Sequence, residues 1–207
     1  IVGENFRFGK QRTGNIEYLE YLCRQRGWIF RSLPLIEEKG FPISSTTIRG
    51  NISCGNVTKA KELLGYPFFI SNRVLHGDKR GRRLGFPTVN ILRDPHKVVP
   101  SDGVYSGIVV FDRTYRPAAI NIGLNPTFSE TDSLRIEAHL LDFEGDLYDR
   151  DVHLLFLERI RGELSFHSVD DLKYQIREDT EIVREVWSNI LENDFKEIER
   201  FIHAIYI

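Results

Sequence analysis

The sequence has 207 residues, of which 41% are hydrophobic and 28% charged, and its net charge is −2. That balance describes an ordinary globular chain with ample material for a core, and it argues against a broad surface for nucleic acid or anionic membrane. No apolar run approaches membrane-spanning length, no signal-peptide pattern opens the chain, and Cys23 and Cys54 lack metal or disulfide spacing, which fits a reducing cytoplasm.

The chain starts at Ile1 and contains no methionine, so a fragment of a longer protein is expected. Residues 1–66 have the rhythm of an α/β unit. A short apolar strand runs into the turn GENFRFGKQRTGN, followed by a helix with Ile16, Leu19, Leu22 and Cys23 on one face and Gly27 at its close. Residues 28–33 alternate like a strand, and residues 37–40 read as a turn. The segment ISSTTIR at 43–49 looks like a loop entering a helix, its hydroxyls suited to capping orphan N–H groups. A further helix is expected over 56–64, stopped by Gly65, with a domain boundary at residues 65–67.

From Phe68 to about Arg161 the pattern is of strands without intervening helices: FFISNRVLH, GVYSGIVVF, YRPAAINIG, LRIEAHLLDF and DVHLLFLERIR. Such a succession implies an antiparallel sheet, and its length suggests a small closed barrel. Ser168 and Asp171 then suggest a capped helix with Leu172, Ile176, Val183 and Val186 among its apolar positions, and residues 194–207 a last helical segment.

The most informative stretch lies at 76–90, HGDKRGRRLGFPTVN. Gly77, Gly81 and Gly85 allow backbone N–H groups to approach an anion, and Lys79, Arg80, Arg82 and Arg83 supply charge that polyphosphate would neutralise. Past Pro87, Thr88 and Asn90 offer neutral hard oxygen ligands of the kind that hold Mg²⁺ beside phosphates. The same residues equally describe a basic, Gly-rich surface hairpin followed by a Pro turn.

In the strand at 134–140, side-chain alternation puts Arg135, Glu137 and His139 on one face if Ile136, Ala138 and Leu140 take the other. Glu137 is then a candidate base for an alcohol, with a solvated outer barrel face as the alternative. The loop NIGLNPTF at 121–128 fixes its path with Gly, Asn and Pro, and Phe128 suits contact with a flat ring. Residues 161–166, RGELSF, either close a pocket or cap the barrel. The histidines show no zinc spacing, so no transition metal is expected, and no Walker-type phosphate loop or nucleophile elbow is present.

With HGDKRGRRLGFPTVN, PSDGVYSG, NIGLNPTF, RIEAHLLDFEGDLYD and RGELSF in this order, segment 68–190 resembles the riboflavin kinase domain. The resemblance implies a six-stranded antiparallel Greek-key β-barrel followed by helices, and transfer of the γ-phosphate of ATP to the 5′-hydroxyl of riboflavin, giving FMN. It assigns phosphate binding to Gly77, Lys79, Gly81, Arg82, Gly85, Pro87 and Thr88, Mg²⁺ to Thr88 and Asn90, and the general base to Glu137. Flavin contacts fall to Asn125, Phe128, Arg161 and Phe166. Val89 stands where the family usually has Ala, a change expected to leave both ligands intact.

Residues 1–66, through VGENFRFG at 2–9 and ISSTTIR at 43–49, resemble the C-terminal part of the nucleotidyltransferase-like FMN adenylyltransferase module of bacterial bifunctional riboflavin kinase/FAD synthetases. That resemblance maps a nucleotide and flavin site onto Asn5, Phe6, Ser44, Ser45, Thr46 and Arg49. The His-x-Gly-His motif of the module is absent from the sequence, so FAD synthesis is expected of a longer parent and not of this chain. The partners expected are the small molecules riboflavin, FMN and ATP, with neither nucleic acid nor membrane. The rival reading is a non-catalytic flavin- or nucleotide-binding barrel.

Overall fold

The computed structural model describes residues 1–76, 81, 84–124 and 134–206. Two compact units divide between Thr47 and Ile48.

In the first unit β1 (Val2–Gly3) pairs in parallel with β2 (Ser32–Leu33), and α1 (Ile16–Gln25) supplies the connection that a parallel pair requires. Asn15 caps α1 by accepting the Tyr18 N–H at 3.0 Å, and Cys23 is its buried residue. The strand anticipated over 28–33 shrinks to Ser32–Leu33, because alternation alone makes no ladder without a partner and Trp28 and Ile29 stand exposed. The turn at Lys39 and Gly40, both at positive φ, joins the short hairpin β3 (Glu37–Glu38) and β4 (Phe41–Pro42). Helix α2 (Ser45–Ser53) follows, and the Ser44 hydroxyl accepts the Thr47 N–H at 3.1 Å.

In the second unit α3 (Val57–Leu64) ends at Gly65, whose left-handed φ of 78° lets its N–H donate back to the Lys61 carbonyl. Six strands then close a barrel: β5 (Phe69–Leu75), β6 (Val89–Ile91), β7 (Gly103–Phe111), β8 (Thr114–Leu124), β9 (Leu134–Leu140) and β10 (Asp151–Arg161). Their order around the barrel is β10-β5-β6-β9-β8-β7, antiparallel throughout, so the chain crosses from β6 to β7 and β10 returns between β5 and β7 in Greek-key fashion. Strand β6 is the one that turn chemistry concealed. Pro87 cannot donate to a ladder, so pairing starts only after it, with Val89 and Ile91 turned into the core around an outward Asn90. Val89 faces small Ala138 in register, which gives its branched side chain room.

The barrel is filled by inward residues of every strand, among them Val74, Tyr105, Ile120, Ile136, Leu154 and Phe156. A second apolar layer lies outside it. Ile108, Val110, Leu155 and Leu157 project outward from β7 and β10 and are covered by Ile190, Ile198 and Ile202 from α4 (Val169–Asn193) and α5 (Phe195–Ile205). The Ser168 hydroxyl accepts the Asp171 N–H at 3.1 Å and starts α4 as its sequence indicates. Both faces of β7 are therefore buried, which is why it reads as a nearly continuous apolar run.

Candidate active site

Strand pairing assembles the site on the wall of the barrel left open by that second layer. Along β9, Ile136, Ala138 and Leu140 point inward and Arg135, Glu137 and His139 point out. Cross-strand partners share a face, so register decides who stands beside Glu137. Its partners are Asn90 on β6 and Asn121 on β8; Asn121 is paired in turn with Val104 on β7, and Val104 with Arg161 on β10. One row thus runs Asn90, Glu137, Asn121, Val104, Arg161 around the outer wall.

Over this row opens a cleft of about 440 Å³. Its lining mixes polar groups, among them Thr88, Asn121, Glu137 and Arg161, with apolar ones such as Val104, Phe166, Leu172 and Ile176. The Glu137 carboxylate is gripped on both oxygens: Thr88 Oγ1 donates to Oε2 at 3.3 Å and Arg135 Nη1 to Oε1 at 3.1 Å. The pair is partly shielded from solvent, with 32% of the Arg135 side chain and 24% of the Glu137 side chain exposed. His139 Nδ1 lies 2.8 Å from the Pro87 carbonyl oxygen. Gly81 sits under the same segment, where a Cβ would strike the Phe86 carbonyl, so the close return of the chain needs glycine.

At the far end, Arg161 Nε and Nη2 donate to the two oxygens of Asp179 on α4 at 2.9 and 2.7 Å. Asp179 is buried, and Gln175 Nε2 donates a third hydrogen bond at 3.0 Å, so the carboxylate is paired and satisfied. A second bidentate pair joins α4 to the barrel, Arg184 donating to Asp142 just beyond β9 at 2.6 and 2.8 Å. From its first turn to the first of these ties, α4 forms one wall of the cleft. Leu172 and Ile176, two of its apolar positions, thereby line the cleft, while Val183 is fully buried.

Gly81, Thr88, Glu137, Arg161 and Phe166 therefore come together in one cleft, and Asn90 stands next to Glu137 in register. Gly85 and Pro87 belong to the same stretch of chain, Pro87 through its carbonyl contact to His139. Gly77, Lys79, Arg82, Asn125 and Phe128 lie outside the described residues. In the first unit Phe6 is exposed and stacked on Phe8 at 6.0 Å, the Asn5 side chain lies over Gly3, Ser44 caps α2, and Ser45 and Thr46 are exposed at its start. Arg49 is an exposed residue of α2 on the second unit. Asp179 escaped sequence reasoning, and Asn121 was read only as the start of the loop 121–128, whereas β8 runs through Leu124 and sets Asn121 beside Glu137. Each carried a signal: Asn121 is the polar member between inward Ile120 and Ile122, and Asp179 falls on the apolar stripe 172, 176, 183, 186 of its helix.

A Greek-key barrel whose outer wall and first long helix enclose a cleft joining a carboxylate, a hydroxyl and guanidinium groups has the parts that group-transfer chemistry uses. The chain belongs to the riboflavin kinase family, whose profile matches residues 64–187. It is 38% identical over 183 residues to a bifunctional riboflavin kinase/FMN adenylyltransferase of Pseudomonas fluorescens, covering 88% of this chain and 58% of that one. The protein of the same description from Escherichia coli (strain K12) is 40% identical over 186 residues, covering 89% of this chain and 58% of that one. A crystal structure described as a macrolide-efflux protein from Streptococcus pneumoniae superposes with a TM-score of 0.78 at 35% identity, covering 88% of this chain and 58% of that one. The chain thus spans less than two thirds of the length of these three proteins. Among the described residues no helix is long and apolar enough to cross a membrane.

Proposed function

We propose that this chain transfers the γ-phosphoryl group of ATP to the 5′-hydroxyl of riboflavin, producing FMN and ADP. The observation that carries the reading is the doubly held Glu137 carboxylate in a cleft that also presents apolar side chains. In this reading Glu137 accepts the hydroxyl proton as the oxygen attacks the γ-phosphorus and the bond to the β,γ-bridging oxygen breaks. The glycine- and arginine-rich stretch 77–85 and Pro87 receive the phosphates. Thr88 and Asn90 hold Mg²⁺, and the donor set fits: a hydroxyl and an amide oxygen beside a carboxylate are hard oxygen ligands, with room in the cleft for phosphate and water. The ion when bound neutralises phosphate charge. Arg161 and Phe166 would contact the flavin, with Leu172 and Ile176 giving apolar surface for its ring; Asn125 and Phe128 are assigned to the flavin by the family resemblance.

Residues 1–66 are read as the C-terminal part of a nucleotidyltransferase-like FMN adenylyltransferase module, with Asn5, Phe6, Ser44, Ser45, Thr46 and Arg49 serving its nucleotide and flavin. The parallel β1–α1–β2 connection and the description of the relatives support this; the family match begins at residue 64, near the proposed boundary at 66/67, whereas the compact units divide earlier, between Thr47 and Ile48. FAD synthesis then belongs to a longer parent protein, acting in the cytoplasm on small molecules alone.

The test is chromatography of the products from riboflavin, ATP and Mg²⁺, with a chelator control and flavins followed by fluorescence. Magnesium-dependent FMN is expected. Glu137→Gln should retain nucleotide binding and lose about 10²–10⁴-fold in turnover, the range of a general base. Bound but unaltered riboflavin would favour a barrel that only binds flavin, and undiminished turnover of the variant would remove Glu137 from its role.

A further inference from the structure

We propose that His139 is the positioning residue that sets Thr88 for the metal–nucleotide complex, by holding the preceding residue through its Nδ1–H. The proposal rests on the kinase reading of the cleft.

A carbonyl oxygen only accepts, so the 2.8 Å contact to Pro87 assigns the ring hydrogen to Nδ1. Glu137 and His139 are two apart on one strand and share its outer face. Glu137 takes the hydroxyl of Thr88 and His139 takes the carbonyl of Pro87, so two side chains of β9 grip two consecutive residues of the incoming segment. That grip replaces a missing one. Pro87 has no N–H, and ladder pairing of β6 to β9 starts only at Val89, so among the described residues no ladder pairing to β9 holds the stretch that presents the Thr88 hydroxyl. Phe86 adds a second constraint, meeting the imidazole edge-on at 5.5 Å while its N–H donates to the Gly81 carbonyl at 2.9 Å. The imidazole therefore stands between the strand that carries the base and the segment that carries the hydroxyl ligand.

The chemistry of the contact supplies a discriminating pair of variants. The amide nitrogen of asparagine lies where Nδ1 does, whereas that of glutamine reaches the place of Nε2. In steady-state assays of the full chain, His139→Ala and His139→Gln should raise the KM for Mg·ATP about tenfold, the worth of one hydrogen bond to a bound segment, with a smaller change in kcat because the interaction is made in ground and transition states alike. His139→Asn should recover most of that loss. Calorimetric binding of Mg²⁺ with a non-hydrolysable ATP analogue should give the same ranking without turnover, and thermal unfolding of each variant guards against loss of fold. Equal behaviour of the Asn and Gln variants, or a fall in kcat with KM and analogue affinity unchanged, would overturn the assignment while leaving the kinase intact. No FMN from the unsubstituted chain would instead remove the kinase reading, and the analogue affinities would still decide whether His139 positions the nucleotide.

Discussion

Removing the Asp179 carboxylate tests how the cleft is held open. Arg161 and Asp179 expose only 19% and 4% of their side chains, and the guanidinium uses two nitrogens on the two carboxylate oxygens. In Asp179→Ala the charge on Arg161 stays largely buried with the Gly162 carbonyl as its other described acceptor, and the Gln175 amide loses its partner. Breaking one side of such a pair costs roughly 3–5 kcal/mol, and since Arg161 keeps some access to water the lower end applies, about 3 kcal/mol. For a unit of this size that lowers the thermal midpoint by roughly 6–12 °C.

The chain has two tryptophans, Trp28 in the first unit and Trp187 packed between Tyr115 and Phe195 in the second. Urea denaturation in a Trp28→Phe background, followed by Trp187 fluorescence, therefore reports on the barrel unit alone. A loss below about 1 kcal/mol would refute the buried-pair account, because that is the range of a solvated pair. The double variant Arg161→Met, Asp179→Leu separates stability from function. Apolar replacement of both partners should recover most of the stability, while FMN formation stays impaired for want of the guanidinium in the cleft.

The Arg184–Asp142 pair has the same chemistry with a different outcome, since its side chains are 45% and 69% exposed. The hydrogen bonds from Arg184 hold the Asp142 carboxyl below its usual value of 3.8 against a small opposing effect of burial, so its contribution is present above that pH and is lost as pH falls through the lowered value. Solvent screening keeps Arg184→Ala to under about 1 kcal/mol, and the difference from the unsubstituted chain should shrink in about 1 M salt; a larger, salt-insensitive loss in urea denaturation would contradict this. His153 gives the pH response at the other end of the scale. Burial pushes its pKa below the ordinary 6.5, with Asp151 opposing, and Ser71 Oγ lies 2.7 Å from Nδ1. The folded chain keeps it neutral while the unfolded chain takes up a proton near 6.5, so stability is full above that pH and falls as pH drops through 6.5 toward the lowered value. Urea midpoints taken between about pH 8 and pH 5 should fall more steeply on acidification for the protein than for His153→Leu; parallel curves would show that His153 does not titrate in this way.

Much of the barrel could be read from the chain because period two leaves a mark wherever one face is wet. β9 shows it in Arg135, Glu137 and His139 against Ile136, Ala138 and Leu140, and that alone put Glu137 on one face with Arg135 and His139. The neighbours of Glu137 were hidden for a physical reason: alternation fixes the side of a strand, whereas register fixes the company, and register comes from pairings with residues 47 and 16 positions away in sequence (Glu137 against Asn90, and against Asn121). β6 was hidden because its few residues follow a proline and resemble a turn until β5 and β9 flank them.

The location of the cleft, by contrast, was encoded in a difference between strands. β7 and the middle of β10 are apolar without alternation, which requires cover on both faces; β9 alternates, which requires an outer face in contact with water or ligand. Strands of the two kinds in one closed barrel demand an outer layer that ends partway round the wall. α4 is that margin: its later residues Val186 and Ile190 pack in the apolar layer, while its earlier residues Leu172, Ile176 and Asp179 line the cleft. A carboxylate on the otherwise apolar stripe of such a helix cannot be left unpaired on burial, so Asp179 called for a cation on the barrel, and Arg161, the last residue of β10, supplies it.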